Sequence, residues 1–442
     1  MSTVYEDIAR RAGFAFLCSN FGKVVDAARV TDTDTVGTLV RVAPGCCLST
    51  FNVICPGWGT NVGHMDFGIY RWNGAYAASV SAKPVFRETV TDYFDNARVT
   101  FHIPLDLIGA GEWLCLFENG SEDAVGIYLC EPSDEAYAAV AYAQGFRNGQ
   151  PVAAAPRGYV TYTTDTQVVK PDLPLTRLTP GKAHVIFLSG QSNATGQAVH
   201  GIYRQHAAPA VYAAYEKGFD HVLIDYAVNG GSNESHGFVP VAFGQGCDKS
   251  RFGPEVGLAD YLNRTFPGET FYIIKDSWSG AGLSKHFAEG QQVYEYCIRN
   301  AREALDRLAA TGADPEVFVL CWMQGETDSW YMEDTLTYDQ KQTDLIARMT
   351  DRILPYVAPG GMALADCGIS DTYAWTLNSI INVQKRICCE ANPNWTFIDT
   401  IDLGCMKENN DIAHYDSDDM MEIGERMGRV VEQVIIRSGG VL

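Results

Sequence analysis

A serine stands just after a short apolar run near the middle of the chain. Residues 184–195 read HVIFLSGQSNAT, so Ser192 follows Gly190 and Gln191 directly. The run predicts a buried strand, and the small and polar residues after it favour a sharp turn that exposes a hydroxyl group. A serine presented in this way can act as a nucleophile if a base lies elsewhere in the chain. Taken alone, such a serine is more often the N-cap of a helix.

A histidine and an aspartate lie close together near the C-terminal end. Residues 411–427 read DIAHYDSDDMMEIGERM, which places Asp411 three residues before His414. One turn of chain can hold the carboxylate against the imidazole. We therefore expect His414 to take the proton of Ser192 as general base, with Asp411 orienting it. The alternative is a surface histidine beside the start of a helix, where acidic neighbours are favourable.

Two further segments could stabilise the negative charge that develops during acyl transfer. They are SWSGAGL at 277–283 and CWMQGETD at 321–328. We expect an oxyanion hole formed by the backbone N–H groups of Ser192 and Gly280 and by the side-chain amide of Gln324. Gly280 could instead be an ordinary turn glycine, and Gln324 an ordinary polar group at a strand end. This chemistry requires no cofactor and no metal ion.

Several other side chains are candidates for contact with a substrate. Asn193, Trp278, His286 and Trp330 lie beside the proposed catalytic segments in the sequence, although buried aromatic residues are the commoner explanation for the tryptophans. Near the N-terminus, Trp58 and Trp72 occur among turn residues, where a ring could protrude and stack on a sugar.

The region from about residue 183 alternates strand-length apolar runs with helical stretches. Runs such as VIFLSG, FYIIKDSW and VFVLCWMQ are apolar throughout, which is typical of a parallel sheet covered on both faces. Helices are predicted at about 254–266, 289–310, 334–356, 376–391 and 416–437. Ligands bind such sheets at the carboxyl ends of the strands. Ser192, Gly280, Gln324 and the pair formed by Asp411 and His414 each follow a predicted strand, so we expect them to meet at one edge.

The first part of the chain has a different pattern. Short runs that alternate apolar and polar residues, among them MDFGIYRW and ARVTFHIPL, are separated by Gly, Asn, Asp and Pro. This pattern predicts an all-β sandwich or jelly roll. We therefore divide the chain into a β-sandwich domain at 1–170, a linker rich in proline at 171–182, and an α/β domain at 183–442.

Composition excludes some classes of partner. The chain has 442 residues and a net charge of −21, which argues against nucleic acid or an anionic membrane surface as a partner and suits a neutral or polar substrate. It contains no apolar run of membrane-spanning length and no signal-peptide core. The spacing of its thirteen cysteines fits no zinc site, so free thiols and a cytoplasmic location are expected. Self-association into a homo-oligomer is left open.

Taken together, the catalytic segments resemble a known family. GQSN at 190–193, SGAGL at 279–283, WMQGETD at 322–328 and DIAHYD at 411–416 resemble the motifs of SGNH-superfamily hydrolases. Within that superfamily they are most similar to carbohydrate esterases related to sialate O-acetylesterase and acetylxylan esterase, a group that RFGPEVGLADYL at 251–262 also resembles. The resemblance implies a three-layer α/β/α domain of flavodoxin-like type and removal of an O-acetyl group from a sugar.

The chain departs from the family pattern in two places. The usual Gly-Gly-Thr is here Ser279-Gly280-Ala281, and the usual Gly-Glu-Ser ends in Thr327, so the shape of the acyl pocket differs. Relatives also differ in which acid orients the histidine. We favour Asp411 because it is close in sequence, and keep Glu326 as the alternative or as a supporting acid.

The sequence thus predicts a two-domain, serine-dependent carbohydrate O-acetylesterase that works through an acetyl-enzyme. The predicted partner is an acetylated sugar or oligosaccharide. Two alternatives are an esterase or thioesterase for another small acyl group, and a carbohydrate-binding protein that has lost activity.

Overall fold

The chain divides into two compact units, Met1–Gln167 and Val168–Leu442. The computed structural model describes residues 13–18, 24–30, 34–55, 64–91, 98–104, 106–119, 125–132, 140–164, 172–372, 374–405, 408 and 411–440. In this part of the chain, no helix has the length and apolar character needed to cross a bilayer.

The first unit is built from antiparallel strands, with one short helix, α1, at Tyr76–Val80. The strands are β1 Phe14–Phe16, β2 Val24–Val30, β3 Val36–Val42, β4 Cys46–Ile54, β5 His64–Arg71, β6 Phe86–Thr91, β7 Arg98–His102, β8 Gly111–Asn119, β9 Val125–Cys130, β10 Val140–Arg147, β11 Gln150–Val152, β12 Ala155–Pro156 and β13 Gly158–Thr164. They form three sheets, ordered β1-β13-β4-β7, β11-β10-β3-β8-β5-β6 and β12-β9-β2.

An aromatic layer joins the two larger sheets of this unit. Phe51 and Phe101 belong to the first sheet, whereas Phe67 and Phe117 belong to the second, and all four are fully buried. The ring centroids of Phe67 and Phe101 are 4.4 Å apart, and those of Phe51 and Phe117 are 5.5 Å apart. The alternation read in the sequence therefore places one face of each sheet against a shared core.

The second unit is a mixed α/β structure, which confirms the α/β class predicted for this region. Its strands are β14 Ala183–Gly190, β15 Ala198–Val199, β16 Phe219–Val228, β17 Asn233–Glu234, β18 Val239–Val241, β19 Arg251–Phe252, β20 Phe271–Ser277, β21 Pro315–Met323, β22 Ala363–Cys367 and β23 Trp395–Ile398. Its helices are α2 Ser192–Thr195, α3 His200–Tyr203, α4 Pro209–Lys217, α5 Glu255–Thr265, α6 Gln292–Ala310, α7 Met332–Leu336, α8 Tyr338–Arg352, α9 Asn378–Ala391 and α10 Ser417–Arg437.

The main sheet is ordered β17-β16-β20-β14-β21-β22-β23, and β18 pairs with the outer side of β16. The six strands from β16 to β23 in this order pair in parallel, whereas β17 and β18 pair with β16 in the antiparallel sense. All residues of β21 are buried, as expected of a central strand that is covered on both faces.

Helices cover both faces of this sheet. On β14, Ile186 and Leu188 join one core together with residues of α5 and α10, whereas Val185 and Phe187 join another together with residues of α6 and α8. Neighbouring strand residues point to opposite faces, so the continuous apolar run of β14 is needed by both cores. The parallel strands end at one edge, and the candidate catalytic residues follow them there.

One predicted helix is interrupted. The pattern at 334–356 predicts a single helix, but the structure has α7, then α8, then a 3₁₀ turn at Leu354–Tyr356. The backbone leaves helical geometry at Thr337 and again at Ile353. Pro355 explains the second break, because proline disfavours the helical conformation of the residue before it and cannot continue the hydrogen-bond ladder.

The segment predicted as a linker is hydrogen-bonded to the second unit from residue 172 onward. The backbone N–H of Thr176 donates to Asn394 Oδ1 at 2.9 Å, and that of Leu178 donates to Ser438 Oγ at 3.1 Å. Leu178 is also buried in the core that contains α5 and α10. This part of the segment therefore packs as a piece of the α/β unit.

Candidate active site

Ser192 lies where β14 turns into α2. The backbone N–H of Gln191 donates to Met323 O at 2.8 Å, which ties the end of β14 to the end of β21. Gly190 has a φ of +144°, and a Cβ atom there would lie 1.9 Å from Met323 O. Glycine is therefore required at this position. The turn places Ser192 as the first residue of α2, with 6% of its surface exposed.

Asp411 and His414 form a hydrogen-bonded pair in the segment before α10. His414 Nδ1–H donates to Asp411 Oδ2 at 2.8 Å, so Nε2 is the ring nitrogen left to accept a proton. Asp411 Oδ1 also accepts the backbone N–H groups of Ala413 at 2.9 Å and of His414 at 3.2 Å. Although partial burial opposes the effect, these hydrogen bonds hold the pKa of the Asp411 carboxyl below its ordinary value.

The next residue, Tyr415, fixes this segment to the sheet. Its side chain is buried, and its hydroxyl contacts Thr400 Oγ1 at 3.0 Å and Gly368 O at 3.3 Å, beyond the ends of β23 and β22. Its backbone N–H donates to Asn193 Oδ1 at 3.3 Å. The residues that follow Ser192 and His414 in the chain are thus in direct contact.

Among the hydrogen bonds of the described residues there is none between Ser192 Oγ and His414 Nε2. Such a bond is often long before substrate binds and shortens in the complex. The two side chains are brought to the same edge of the sheet, as the sequence predicts, and their direct contact stays a prediction.

The backbone around Gly280 is open to an incoming group. Gly280 has a φ of +72°, and a Cβ atom there would meet nothing within 4 Å. The preceding residue is fixed, because Ser279 N–H donates to Asn229 Oδ1 at 2.8 Å. The N–H of Gly280 donates to no described residue, and that of Ser192 belongs to the unpaired donors of the first helical turn. Both remain available to a ligand.

Gln324 does not fit the predicted role of oxyanion donor. Its side chain is fully buried, and Nε2 contacts three acceptors: Asp328 Oδ2, Ala281 O at 3.1 Å and Gln191 Oε1 at 3.3 Å. Its Oε1 accepts the hydroxyl of Tyr338 at 2.9 Å. An amide has two N–H groups, and both are directed at these internal partners. The prediction is corrected: Gln324 supports the walls of the site.

Glu326 and Asn193 are bonded to each other beneath the site. Asn193 Nδ2 donates to Glu326 Oε1 at 2.7 Å, and both side chains are buried. Burial raises the pKa of Glu326 above its ordinary value, against the opposing hydrogen bond from Asn193. Glu326 makes no hydrogen bond to His414, whose Nδ1 is already bonded to Asp411. Asn193 is fully buried, so its predicted contact with substrate is replaced by an internal one.

The three remaining substrate-contact candidates differ in exposure. Trp330 is 50% exposed, with its Nε1–H donating to Ala374 O at 2.6 Å and its ring centroid 5.2 Å from that of the buried Trp375. Trp278 is half-buried and packs over Gly230. His286 Nδ1 accepts the N–H of Gly282 at 3.0 Å, so this histidine holds its own loop. Trp330 is the one of the three with a ring that is both fixed and exposed.

The N-terminal candidates have less support. Trp72 packs on Phe146 with ring centroids 5.7 Å apart, as part of a small cluster on the sheet. Trp58 lies outside the described residues.

Two side chains that position the site were missed in the sequence. Gln191 Oε1 accepts the N–H of Thr327 at 3.2 Å and contacts Gln324, and the Tyr415 backbone bonds Asn193 as described above. Their signal was adjacency, since each directly neighbours a predicted catalytic residue. In the described part of the chain, no group of three or more His, Cys, Asp or Glu side chains is placed to hold a metal ion.

Comparison with known proteins identifies the family. The family described as "Carbohydrate esterase, sialic acid-specific acetylesterase" matches residues 182–433. No curated protein matches the chain.

Solved structures similar to this chain include a protein from Arabidopsis thaliana (16% identity, TM-score 0.43, covering 58% of this chain and 99% of that one). They also include NanS (13%, 0.43, 59% and 99%) and XAC1771, a carbohydrate acetylesterase from Xanthomonas citri (11%, 0.42, 92% and 75%). The family match spans more than half of the chain and includes the segments of Ser192, Gly280, Glu326 and His414. The resemblance read from the sequence is therefore confirmed: the chain belongs to the carbohydrate esterases of the sialic acid-specific acetylesterase family.

Proposed function

We propose that this carbohydrate esterase hydrolyses sugar acetates with Ser192 as nucleophile, His414 as general base and acid, and Asp411 as the acid that orients the histidine. The observation that carries the proposal is the hydrogen bond from His414 Nδ1 to Asp411 Oδ2 at 2.8 Å. It leaves Nε2 to accept a proton. The contact between Asn193 and Tyr415 supports placing that nitrogen beside the segment of Ser192.

The reaction proceeds in two steps. His414 Nε2 takes the proton of Ser192 as Oγ attacks the acetyl carbonyl carbon, and the resulting imidazolium gives that proton to the departing sugar oxygen. Water then attacks the acetyl-enzyme with the same histidine as base, which releases acetate and restores the Ser192 hydroxyl. The ionised Asp411 stabilises the imidazolium in both steps.

The negative charge on the carbonyl oxygen is placed between the N–H groups of Ser192 and Gly280. Gly280 suits this role because its backbone faces open space and Asn229 holds the neighbouring Ser279 in place. Removing a single donor of this kind typically slows turnover by about 10²–10³. With the side chain of Gln324 engaged elsewhere, the backbone supplies both donors.

Asp411 is favoured over Glu326 as the orienting acid on charge as well as contact. The hydrogen bonds to Asp411 lower the pKa of its carboxyl, which therefore stays ionised at neutral pH and can stabilise an imidazolium. Burial raises the pKa of Glu326, and its Oε2 has no hydrogen-bond partner among the described residues. A neutral Glu326 would do little to stabilise the charged form of His414.

The sugar is proposed to stack on Trp330. This side chain and Tyr331 are each 50% exposed, and they follow directly from the loop in which the Thr327 N–H contacts Gln191. Aromatic faces bind the apolar face of a sugar ring. We also infer that the α/β unit is of the flavodoxin-like SGNH type and that a β-sandwich precedes it. Its support is the shared aromatic core of the antiparallel sheets.

The proposal is tested by acetate release from acetylated sialic acid, acetylated xylo-oligosaccharide and 4-nitrophenyl acetate. Wild-type turnover with loss of activity in Ser192→Ala supports it, whereas equal rates in the two proteins would end it. Faster cleavage of propionyl or butyryl esters than of acetates would favour the alternative, an esterase for another small acyl group.

A further inference from the structure

The segment that carries the proposed base is held together internally. Asp411 accepts three hydrogen bonds, all from within residues 411–414: one from the imidazole and two from the backbone of Ala413 and His414. These bonds fix the ring relative to its own loop. They do not fix it relative to Ser192, which lies more than two hundred residues earlier in the chain.

Asn193 supplies that missing link. Its Oδ1 accepts the backbone N–H of Tyr415 at 3.3 Å, while its Nδ2 donates to Glu326 Oε1 at 2.7 Å. In the part of the chain that the structure describes, the Tyr415–Asn193 bond is the one hydrogen bond that joins residues 411–415 to α2. A single fully buried amide therefore contacts the base segment and the loop after β21, and belongs itself to the nucleophile segment.

We propose that Asn193 is a positioning residue that sets the separation of Ser192 and His414 through the buried hydrogen-bonded chain Glu326–Asn193–Tyr415. The proposal rests on the proposed function, in which these two residues are nucleophile and base. Asn193 directly follows Ser192, and Tyr415 directly follows His414, so a change in their bond moves one reacting group relative to the other. A displacement of about 1 Å at a reacting centre can reduce the rate by about 10².

Two other roles for this amide fit the structure less well. Contact with substrate would need an exposed side chain, and Asn193 is fully buried. A direct bond from Glu326 to the histidine would need a free Nδ1, which Asp411 occupies. The buried carboxyl of Glu326 instead serves as the fixed end of the chain, since the backbone after β21 is bonded to the nucleophile turn through Gln191.

A matched pair of variants separates positioning from general stability. Asn193→Ala removes both bonds at the site. Asn394→Ala removes an equally internal amide that bonds Thr176 N–H and Pro174 O before the amino end of β23, on the opposite edge of the sheet. We expect both variants to lower the melting temperature, but only Asn193→Ala to lower kcat, by about 10- to 100-fold, with KM and the midpoint of the pH–rate profile little changed. Equal kcat in the two variants would overturn the proposal.

A swap of the two partners tests the hydrogen bond itself. Asn193→Asp keeps the acceptor for the Tyr415 N–H but places a second carboxyl group opposite Glu326. Adding Glu326→Gln gives that carboxyl group an amide donor and restores the pair with the direction of donation reversed. We expect Asn193→Asp to lower kcat and the double variant to recover it to within a few-fold of Glu326→Gln alone. A double variant no more active than Asn193→Asp would contradict the proposal.

The same measurements distinguish the two levels of the account. Without wild-type esterase activity, or with full activity in Ser192→Ala, the proposed function itself fails. With an active wild type, an inactive Ser192→Ala and an unchanged kcat in Asn193→Ala, the proposed function stands and the positioning role alone is lost.

Discussion

At the scale of single residues, the two acids beside the histidine differ in environment and should differ in effect. Asp411 is partly exposed and bonds the imidazole, whereas Glu326 is buried and bonds Asn193. We expect Asp411→Asn to lower kcat by about 10³–10⁴, because the amide no longer stabilises the imidazolium or selects the correct tautomer. Glu326→Gln should lower it by less than about 10-fold, since glutamine matches a neutral carboxyl in shape. Measured kcat values in the reverse order would make Glu326 the orienting acid.

A third carboxyl group, Asp276 at the end of β20, connects residue chemistry to stability. Burial raises the pKa of its side chain to about 8, against the hydrogen bond from Asn300 Nδ2 at 2.7 Å. The folded protein therefore holds a proton that the unfolded chain loses above about pH 4. The free energy of unfolding should fall between about pH 4 and 8 for this reason. We expect Asp276→Asn to make that decline shallower in urea titrations across the range, and an unchanged slope would show that Asp276 is ionised in the folded state.

At the scale of elements, the turn between β14 and α2 should tolerate no side chain at Gly190. A Cβ atom there would overlap Met323 O, whereas Gly268, which also has a positive φ of +89°, has nothing within 4 Å of the same position. Gly268→Ala should lower the free energy of unfolding by about 1 kcal/mol through backbone strain alone. Gly190→Ala should lower it by more than about 3 kcal/mol and reduce activity as well. Urea unfolding that shows equal costs would contradict the geometry.

The 3₁₀ turn at Asp328–Trp330 provides the proposed sugar contact. Trp330→Ala should raise KM for an acetylated sugar by about 10-fold, because a stacking contact is worth about 1 kcal/mol or more, but leave KM for ethyl acetate unchanged. Trp330→Phe should retain most of the affinity for the sugar. If ethyl acetate is affected as much as the sugar, the tryptophan supports the fold of the loop.

The sequence indicated the α/β class, the main helices and the edge of the sheet where the site lies, because continuous apolar runs and helical periodicity are local properties. The role given to Gln324 was wrong because it depended on side-chain partners that lie far apart in the sequence, such as Tyr338 and Ala281. The same is true of Asn193, whose partners Glu326 and Tyr415 come from two other segments. The break in the helix at 334–356 had a visible signal in Pro355, which the periodicity outweighed.

At the scale of the whole molecule, the net charge of −21 should influence which acetylated sugars are turned over quickly. Like charges repel over roughly 10 Å at 0.1 M salt and over longer distances in more dilute buffer. For an acetylated sugar that carries a carboxylate, kcat/KM should therefore rise a few-fold as NaCl increases from about 10 to 150 mM. The corresponding value for a neutral acetylated sugar should stay constant. A decrease with salt for the anionic sugar would instead reveal a local cationic contact that attracts it.

The central claim is that Ser192 carries the acetyl group during turnover. The most direct test is to mix the protein with 4-nitrophenyl acetate, quench with acid within milliseconds to seconds, and locate the added acetyl group by peptide mass spectrometry. The account predicts one acetyl group on Ser192 in the wild-type protein, in proportion to the burst of nitrophenolate, and none at that position in Ser192→Ala. A burst that accompanies acetylation of a different residue, or that persists in Ser192→Ala, would contradict it.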